Sequence, residues 1–418
     1  MKAAIINSED RRGGAARAAH RLHMALLDAG VDCQMLVQVK HGDDPTVIGP
    51  QGVIRNMTVP FRPALDVLPK LAYRHRKKST TFYPGWLPDR IKPRVDAFAP
   101  DLVHLHWITG GTLNVRTLRK LGRPLVWTLH DMWAFTGGCH YDDDCGRYRT
   151  GCGHCPALGS QRESDLSAFG WRRKNKAYRD LPLTIVTPSK WLGELARNSP
   201  LLGVFPVNVI PNAIDIDIYR PTDKLTARKM LRLPLDRKII LFGALRATSE
   251  TRKGYHLLEP ALRMLGDRAA GRDAMTVILG ASQPAEPPDL GMESVFLGTL
   301  SDDVSLGLAY SAADVFVAPS TQENLSNAVM ESLACGTPVV AFNIGGMPDM
   351  IDHRINGYLA EAFDTNDLAN GLEWVIEDNE RHAALSDRAR RKVVDTFAAP
   401  KVAREHLALY EELLRRVT

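Results

Sequence analysis

The sequence predicts two doubly wound α/β domains in tandem, each a parallel sheet with helices on both faces. Three observations carry this. Short β-rich runs alternate with helical patterns through both halves of the chain. A stretch bearing Pro200, Pro206, Pro211 and Pro221 separates the halves, and prolines there favour an extended connection. The 418 residues can bury two full cores at roughly 100–200 residues per domain. The expected plan is a first domain over 1–200, a linker over 201–222, a second domain over 223–396 and a C-terminal helix over 397–418 that crosses back to the first domain.

In the first half, Ala3–Ile6 reads as a strand, and Gly13-Gly14 leads into a helix over Ala15–Ala29. Ala18, Ala19, Leu22, Leu26 and Leu27 fall at helical spacing there, and Gly30 ends it. Cys33–Val39, Leu102–Leu105, Leu125–Leu129 and Leu183–Thr187 read as further strands. In the second half the strands are Lys238–Phe242, Met275–Leu279, Ser294–Leu297, Asp314–Ala318 and Thr337–Ala341. Helices are expected over Tyr255–Leu265, Asn327–Cys335, Asp367–Ile376 and Glu380–Val394, with a last amphipathic one over Pro400–Arg416. Ligands of such sheets bind at the carboxyl ends of the strands, so two facing domains would share a cleft.

Composition narrows the class. Hydrophobic residues are 44% and charged residues 24%, ordinary for a globular protein and unlike a disordered or collagenous one. No run approaches 18 uninterrupted apolar residues, so no membrane span is expected. The opening Met1–Asn7 soon meets Glu9-Asp10-Arg11-Arg12, which reads as a strand and not as a secretory signal, so a cytoplasmic protein is expected. The net charge of +5 conceals a segment of +8 between Arg55 and Arg94, which leaves −3 for the rest of the chain. That segment interleaves Arg74, Arg76, Lys77 and Lys78 with Phe61, Leu65, Leu68, Leu71 and Trp86. Basic and apolar residues together suit an anionic membrane surface; a solvated loop is the alternative. The run Arg172-Arg173-Lys174-Asn175-Lys176 is expected to join the patch.

Four motifs bear chemistry. Gly13-Gly14, between a strand and a helix, lets backbone N–H groups approach a phosphate at the helix start, or is a plain turn. Glu323 lies on a loop at the carboxyl end of a strand, and Glu331 lies in the helix after it, seven residues intervening. The N–H groups around Ser326, Asn327 and Ala328 form an anion site, and Glu331 beside it could accept the two hydroxyls of a ribose. Lys253-Gly254 comes after the strand that ends near Gly243; a lysine there can neutralise a leaving diphosphate. His130, in Thr128-Leu129-His130-Asp131, ends a strand of the first domain, whereas His104 and His106 read as structural. Separately, Cys139, Cys145, Cys152 and Cys155 fall within 17 residues. Four thiolates with one close pair match a closed structural zinc site, with His140 or His154 as a substitute ligand. An iron–sulfur centre and four packed, reduced thiols are the alternatives.

The order Pro319-Ser320-Thr321-Gln322-Glu323, Glu331 through Ala341, Gly345-Gly346-Met347-Pro348-Asp349 and Asn356-Gly357-Tyr358-Leu359 resembles the carboxyl-terminal domain of glycosyltransferase family 4. These are retaining enzymes of the two-Rossmann GT-B fold. The resemblance covers nearly the whole chain and is strongest from Val209 to Leu359. It implies that Glu323 contacts the hydroxyls of the donor sugar and that Glu331 binds the nucleotide ribose. It implies likewise that the backbone of Asn327 and Ala328 holds the diphosphate. Ser326 replaces the usual glycine there. The family's arginine after the strand glycine is displaced, since Ala244 holds that position. Arg246 is taken as the second cation, with Arg252 as the alternative. The implied role of His130 is contact with the reacting sugar. The cysteine insertion resembles a subset of bacterial polysaccharide glycosyltransferases.

The resemblance thus implies a retaining transfer from a UDP- or GDP-sugar to a saccharide acceptor, with a lipid-linked saccharide at the inner face of a membrane as the expected one. The leaving phosphate oxygen would deprotonate the acceptor, and no catalytic divalent metal is expected. Other readings are a sugar-nucleotide epimerase or a phosphorylase on the same fold. A zinc-knuckle nucleic-acid-binding protein is disfavoured by Asp142-Asp143-Asp144 within the cysteine segment, so no nucleic-acid partner is expected.

Overall fold

The computed structural model describes residues 1–50, 52, 58–77, 79–243, 251–280, 289–300 and 302–416. Arg55, Lys78 and Arg246 lie outside the described residues. The chain divides into two compact units, Met1–Ala213 with Pro400–Thr418, and Ile214–Ala399.

The first unit is built on a seven-stranded sheet. Its strands are β1 (Lys2–Glu9), β2 (Asp32–Val39), β3 (Val47–Ile48), β4 (Leu102–Leu105), β5 (Leu125–Thr128), β6 (Leu183–Thr187) and β7 (Val207–Val209). They lie in the order β3-β2-β1-β4-β5-β6-β7 and all pairs are parallel. Strands β4, β5 and β6 are buried throughout, as parallel strands covered on both faces must be. Sequence order reverses between β1 and β4, which opens a crevice at their carboxyl ends. The Gly13-Gly14 turn comes after β1, and the helix starts at Gly14.

The second unit has a six-stranded sheet: β8 (Lys238–Gly243), β9 (Ala274–Leu279), β10 (Ser294–Gly298), β11 (Val315–Ala318), β12 (Val339–Phe342) and β13 (Gly357–Ala360). The order is β10-β9-β8-β11-β12-β13, again wholly parallel. Its reversal point lies between β8 and β11, where Val317 pairs with Phe242. Successive residues of these strands feed two separate cores. Leu241 and Phe316 join one, whereas Ile240, Phe242, Val315 and Val317 join the other.

Two expectations need correction. The proline stretch is not simply an extended linker. Val207–Val209 pairs with β6 as an edge strand, and Ile214 and Tyr219 are buried in the core of the second unit. The Arg172–Lys176 run is only half a surface patch, with Arg172 and Lys176 exposed. Arg173 and Lys174 are buried, and the Lys174 ammonium lies 3.6 Å over the Trp133 ring and donates to the Thr136 carbonyl at 3.0 Å.

The C-terminal helix Ala399–Arg415 supplies Tyr410, whose hydroxyl meets His104 Nδ1 at 2.5 Å, while His104 Nε2 meets Thr128 Oγ1 at 2.7 Å. All three side chains are buried. Tyr410→Phe strands His104 Nδ1 without a partner, and a buried polar atom left so costs about 1–3 kcal/mol. Urea unfolding should show a loss of that size; an unchanged midpoint would show that the tail helix is not tied down through this bond.

Candidate active site

The reversal point of the second sheet gathers most of the expected donor-site residues. The turn Thr251–Lys253 comes after β8, and the loop 319–326 comes after β11. The two are zipped together: Thr321 N–H donates to the Arg252 carbonyl at 2.9 Å, and the Arg252 guanidinium donates to the Gln322 carbonyl at 2.8 Å. Gly254 makes the fit possible. Its φ is +74°, and a Cβ there would lie 1.7 Å from the Pro319 carbonyl oxygen.

This zipper brings Lys253 Nζ to 2.8 Å and the Arg252 guanidinium to 3.4 Å from Glu323 Oε2. Glu323 is only 8% exposed. Burial pushes its carboxyl up, but Lys253 and then Arg252 outweigh that and hold it down at about 2. The backbone of Glu323 is gripped as well, because its carbonyl accepts from Gly346 N–H at 3.1 Å. A Cβ on Gly345 would lie 2.1 Å from that carbonyl oxygen, so the Gly345-Gly346 motif serves a close backbone approach.

The helix Asn327–Ala334 begins directly after this loop. Ser326 makes no side-chain cap to it, and no acidic residue occupies its first turn, so the positive end of the helix is not offset by a carboxylate. Glu331 is buried in the second turn and accepts from the Tyr310 hydroxyl at 3.1 Å. The expected residues Glu323, Lys253, Ser326, Asn327, Ala328 and Glu331 therefore occupy one end of one sheet. Arg246 lies outside the described residues, and Arg252 is the second cation seen on Glu323. A basic residue beside Lys253 was the available signal for it.

In the first unit, His130 comes after β5, whose carboxyl end adjoins that of β4. Its Nε2 is 2.9 Å from His106 Nδ1. Burial lowers the His130 pKa to about 4 against the pull of Asp131, and burial also lowers that of His106, so both rings are neutral at pH 7. Asp131 accepts from Trp133 N–H at 2.8 Å and Trp107 Nε1 at 2.9 Å, and its Oδ2 lies 2.6 Å from His140 Nδ1. His106, expected to be structural, is thus the hydrogen-bond partner of His130. Gly13 has a φ of +89°, and a Cβ there would touch nothing, so the turn before the helix is open.

The zinc expectation is not supported. Cys139, Cys145, Cys152 and Cys155 line one cavity of about 20 Å³, room for about one water. Yet among the described residues no three His, Cys, Asp or Glu side chains are grouped so that they could hold a metal ion. All four are free thiols. Hydrogen bonds brace the segment: Cys152 N–H donates to the Arg147 carbonyl and Cys155 N–H to Asp165, both at 2.9 Å. Cys139 bonds Cys155, the N–H groups of Leu158 and Ala157 reach Cys155, and those of Gly137 and Arg147 reach Cys152 and Cys145.

Two family models match the chain in succession: Glycosyltransferase Family 4 over residues 12–218 and Glycosyl transferases group 1 over residues 223–392. The chain belongs to glycosyltransferase family 4. This glycosyltransferase is 28% identical over 329 residues to a D-inositol 3-phosphate glycosyltransferase of Thermobispora bispora, covering 76% of this chain and 72% of that one. Its fold is that of the GT-B glycosyltransferases. Sucrose-phosphate synthase from Thermosynechococcus elongatus superposes with a TM-score of 0.71 at 20% identity, over 99% of each chain. Anabaena HepE in complex with UDP and glucose does so with 0.64 at 16% identity, over 99% of this chain and 100% of that one. Among the described residues no helix is long and apolar enough to cross a membrane.

Because Glu323 titrates near 4.5 when unfolded and at about 2 when folded, its pairing stabilises the protein fully above pH 4.5. That contribution is lost as pH falls from 4.5 through 2. The stability gap between the wild type and Glu323→Gln should be constant from pH 5 to 7 and shrink below pH 4.5, as read by thermal unfolding. A gap that does not change with pH would remove the charge pair as its source.

Proposed function

We propose that this glycosyltransferase moves a sugar from a nucleoside diphosphate sugar, with UDP or GDP as the nucleotide, to a saccharide hydroxyl with retention of anomeric configuration. The acceptor is a lipid-linked saccharide of bacterial polysaccharide biosynthesis, met at the inner face of a membrane. The observation that carries the reading is the Lys253–Glu323–Arg252 cluster at the reversal point of a parallel sheet, beside an uncapped helix start. The complex of HepE with UDP and glucose, on the same fold, supports a nucleotide sugar as the donor.

The charges set the chemistry. A diphosphate arriving at this end of the sheet meets Lys253, Arg252 and the N–H groups of Asn327 and Ala328. Glu331 takes the ribose hydroxyls, and Glu323, an anion throughout the physiological range, takes hydroxyls of the donor sugar. As the bond from the anomeric carbon to the phosphate oxygen breaks, charge grows on that oxygen, and the cations and helix amides stabilise it. The same oxygen takes the proton of the acceptor hydroxyl, whose oxygen bonds to the anomeric carbon on the face just vacated. No carboxylate nucleophile is consumed. His130, neutral and tied to His106, is a hydrogen-bonding partner for the reacting sugar and not a cation. Gly13 and Gly14 offer backbone N–H groups to an anion at the first reversal point.

Lys253→Ala and Glu323→Gln should each lower kcat by about 10²–10³-fold, the scale of removing one transition-state charge contact. Circular dichroism should show both variants folded. Proton NMR of the product should show the anomeric configuration of the donor. Near-normal turnover in either variant, an inverted product, or epimerisation of the donor without acceptor would contradict the reading.

A further inference from the structure

The segment Val59–Ala72 runs as a chain of short helical turns (Val59–Phe61, Arg62–Asp66 and Leu68–Ala72). It exposes Phe61 (66%), Leu65 (44%), Leu68 (47%) and Leu71 (54%) to solvent. Steps of four, three and three residues keep these side chains on one face of the successive turns. A row of four large apolar side chains is not an ordinary scatter of exposed residues; it marks an interaction surface. Trp86, also exposed, stands beside the row, since its N–H and its indole Nε1 both donate to Asp66 at 3.1 Å.

The other face of the segment is tightly anchored. Asp66 is wholly buried and accepts also from Gly85 N–H at 3.2 Å. Arg62 donates to the Gly111 carbonyl at 2.8 Å, on the loop that leaves the carboxyl end of β4. The row is therefore held at the end of the first sheet that also carries His130.

Charge decides what covers it. Of the basic residues of this segment, Arg62, Lys70 and Arg94 are committed to backbone carbonyls. Arg74 and Lys77 remain exposed at the end of the row, Lys77 only loosely paired to Asp143 at 3.9 Å. Of the two acidic side chains between Arg55 and Arg94, Asp66 is buried, and Asp89 is committed to Ile91 N–H, Asn114 N–H and the Thr117 hydroxyl. A row of apolar side chains with an interfacial tryptophan and outward cations complements an anionic lipid surface, where apolar burial and charge attraction add.

From this we infer that Phe61, Leu65, Leu68 and Leu71 insert into an anionic bilayer and dock the first unit on it. The inference deepens the reading of a lipid-linked acceptor, but the docking itself needs neither donor nor acceptor. The test is co-sedimentation of the full chain with vesicles of 30% phosphatidylserine in phosphatidylcholine, beside pure phosphatidylcholine. The wild type should partition onto the anionic vesicles at least tenfold better than onto the neutral ones. Leu65→Ser with Leu71→Ser should lose at least tenfold of that binding. The circular dichroism and melting temperature of this variant should match the wild type, because both side chains are exposed. Arg74→Gln with Lys77→Gln, which leaves the row intact, should lose binding to the anionic vesicles only. Failure of the wild type to bind, equal binding by the serine variant, or binding indifferent to lipid charge would overturn the inference. So would concentration-dependent self-association that the serine substitutions abolish, since a second copy would then cover the row. None of these outcomes depends on turnover, so a failed transferase assay and a failed docking surface are told apart.

Discussion

A carboxylate removed from water stays ionised only where cations and donors replace its hydration, and Glu323 meets that constraint through two residues of another loop. The pairing explains much of the second unit. Lys253 and Arg252 reach Glu323 because the turn after β8 lies against the loop after β11, and the strand order makes those two loops neighbours. That contact requires Gly254 at a positive φ, and Gly345 without a side chain leaves room for the Glu323 carbonyl. Removing either cation would leave a buried charge underpaired, which is costlier than a surface ion pair is favourable. The same geometry holds two cations and a helix start at one end of one sheet.

The first unit answers with neutral groups. His130 and His106 are both held uncharged, and Asp131 is fixed by Trp107 and Trp133 as well as facing His140. The cations thus gather on the second sheet, and the neutral histidines on the first. The C-terminal helix braces the first sheet, since the Tyr410 hydroxyl meets His104 of β4.

The alternation of strands and helices was legible in the chain because parallel strands buried on both faces are continuous apolar runs. The short edge strand Val207–Val209 was not, since its half-exposed Val-Asn-Val among prolines lacks such a run. Glu323, Glu331 and Lys253 were legible from motif order, but their mutual contact came from topology. Arg252 was open to reading as a solvated neighbour, because a side chain's target on another loop leaves no local mark. The role of His106 was hidden for the same reason: one residue past β4, its ring faces a residue 24 positions away. The cysteine spacing brings four thiols to one small cavity, and spacing alone does not separate a metal shell from packed, reduced thiols. The apolar and basic residues of 61–78 were legible in the chain, but their alignment as a row was not, because Pro60, Pro63 and Pro69 break the pattern of a single helix.

The central claim is that a nucleoside diphosphate seats on Lys253, Arg252 and the start of the Asn327–Ala334 helix. Calorimetric titration of UDP and GDP into the wild type and Lys253→Ala tests this most directly. One of the two nucleotides should bind the wild type, and its affinity should fall at least tenfold in the variant, about 1.4 kcal/mol or more. Equal affinity in both proteins, or no binding of either nucleotide to the wild type, would contradict it.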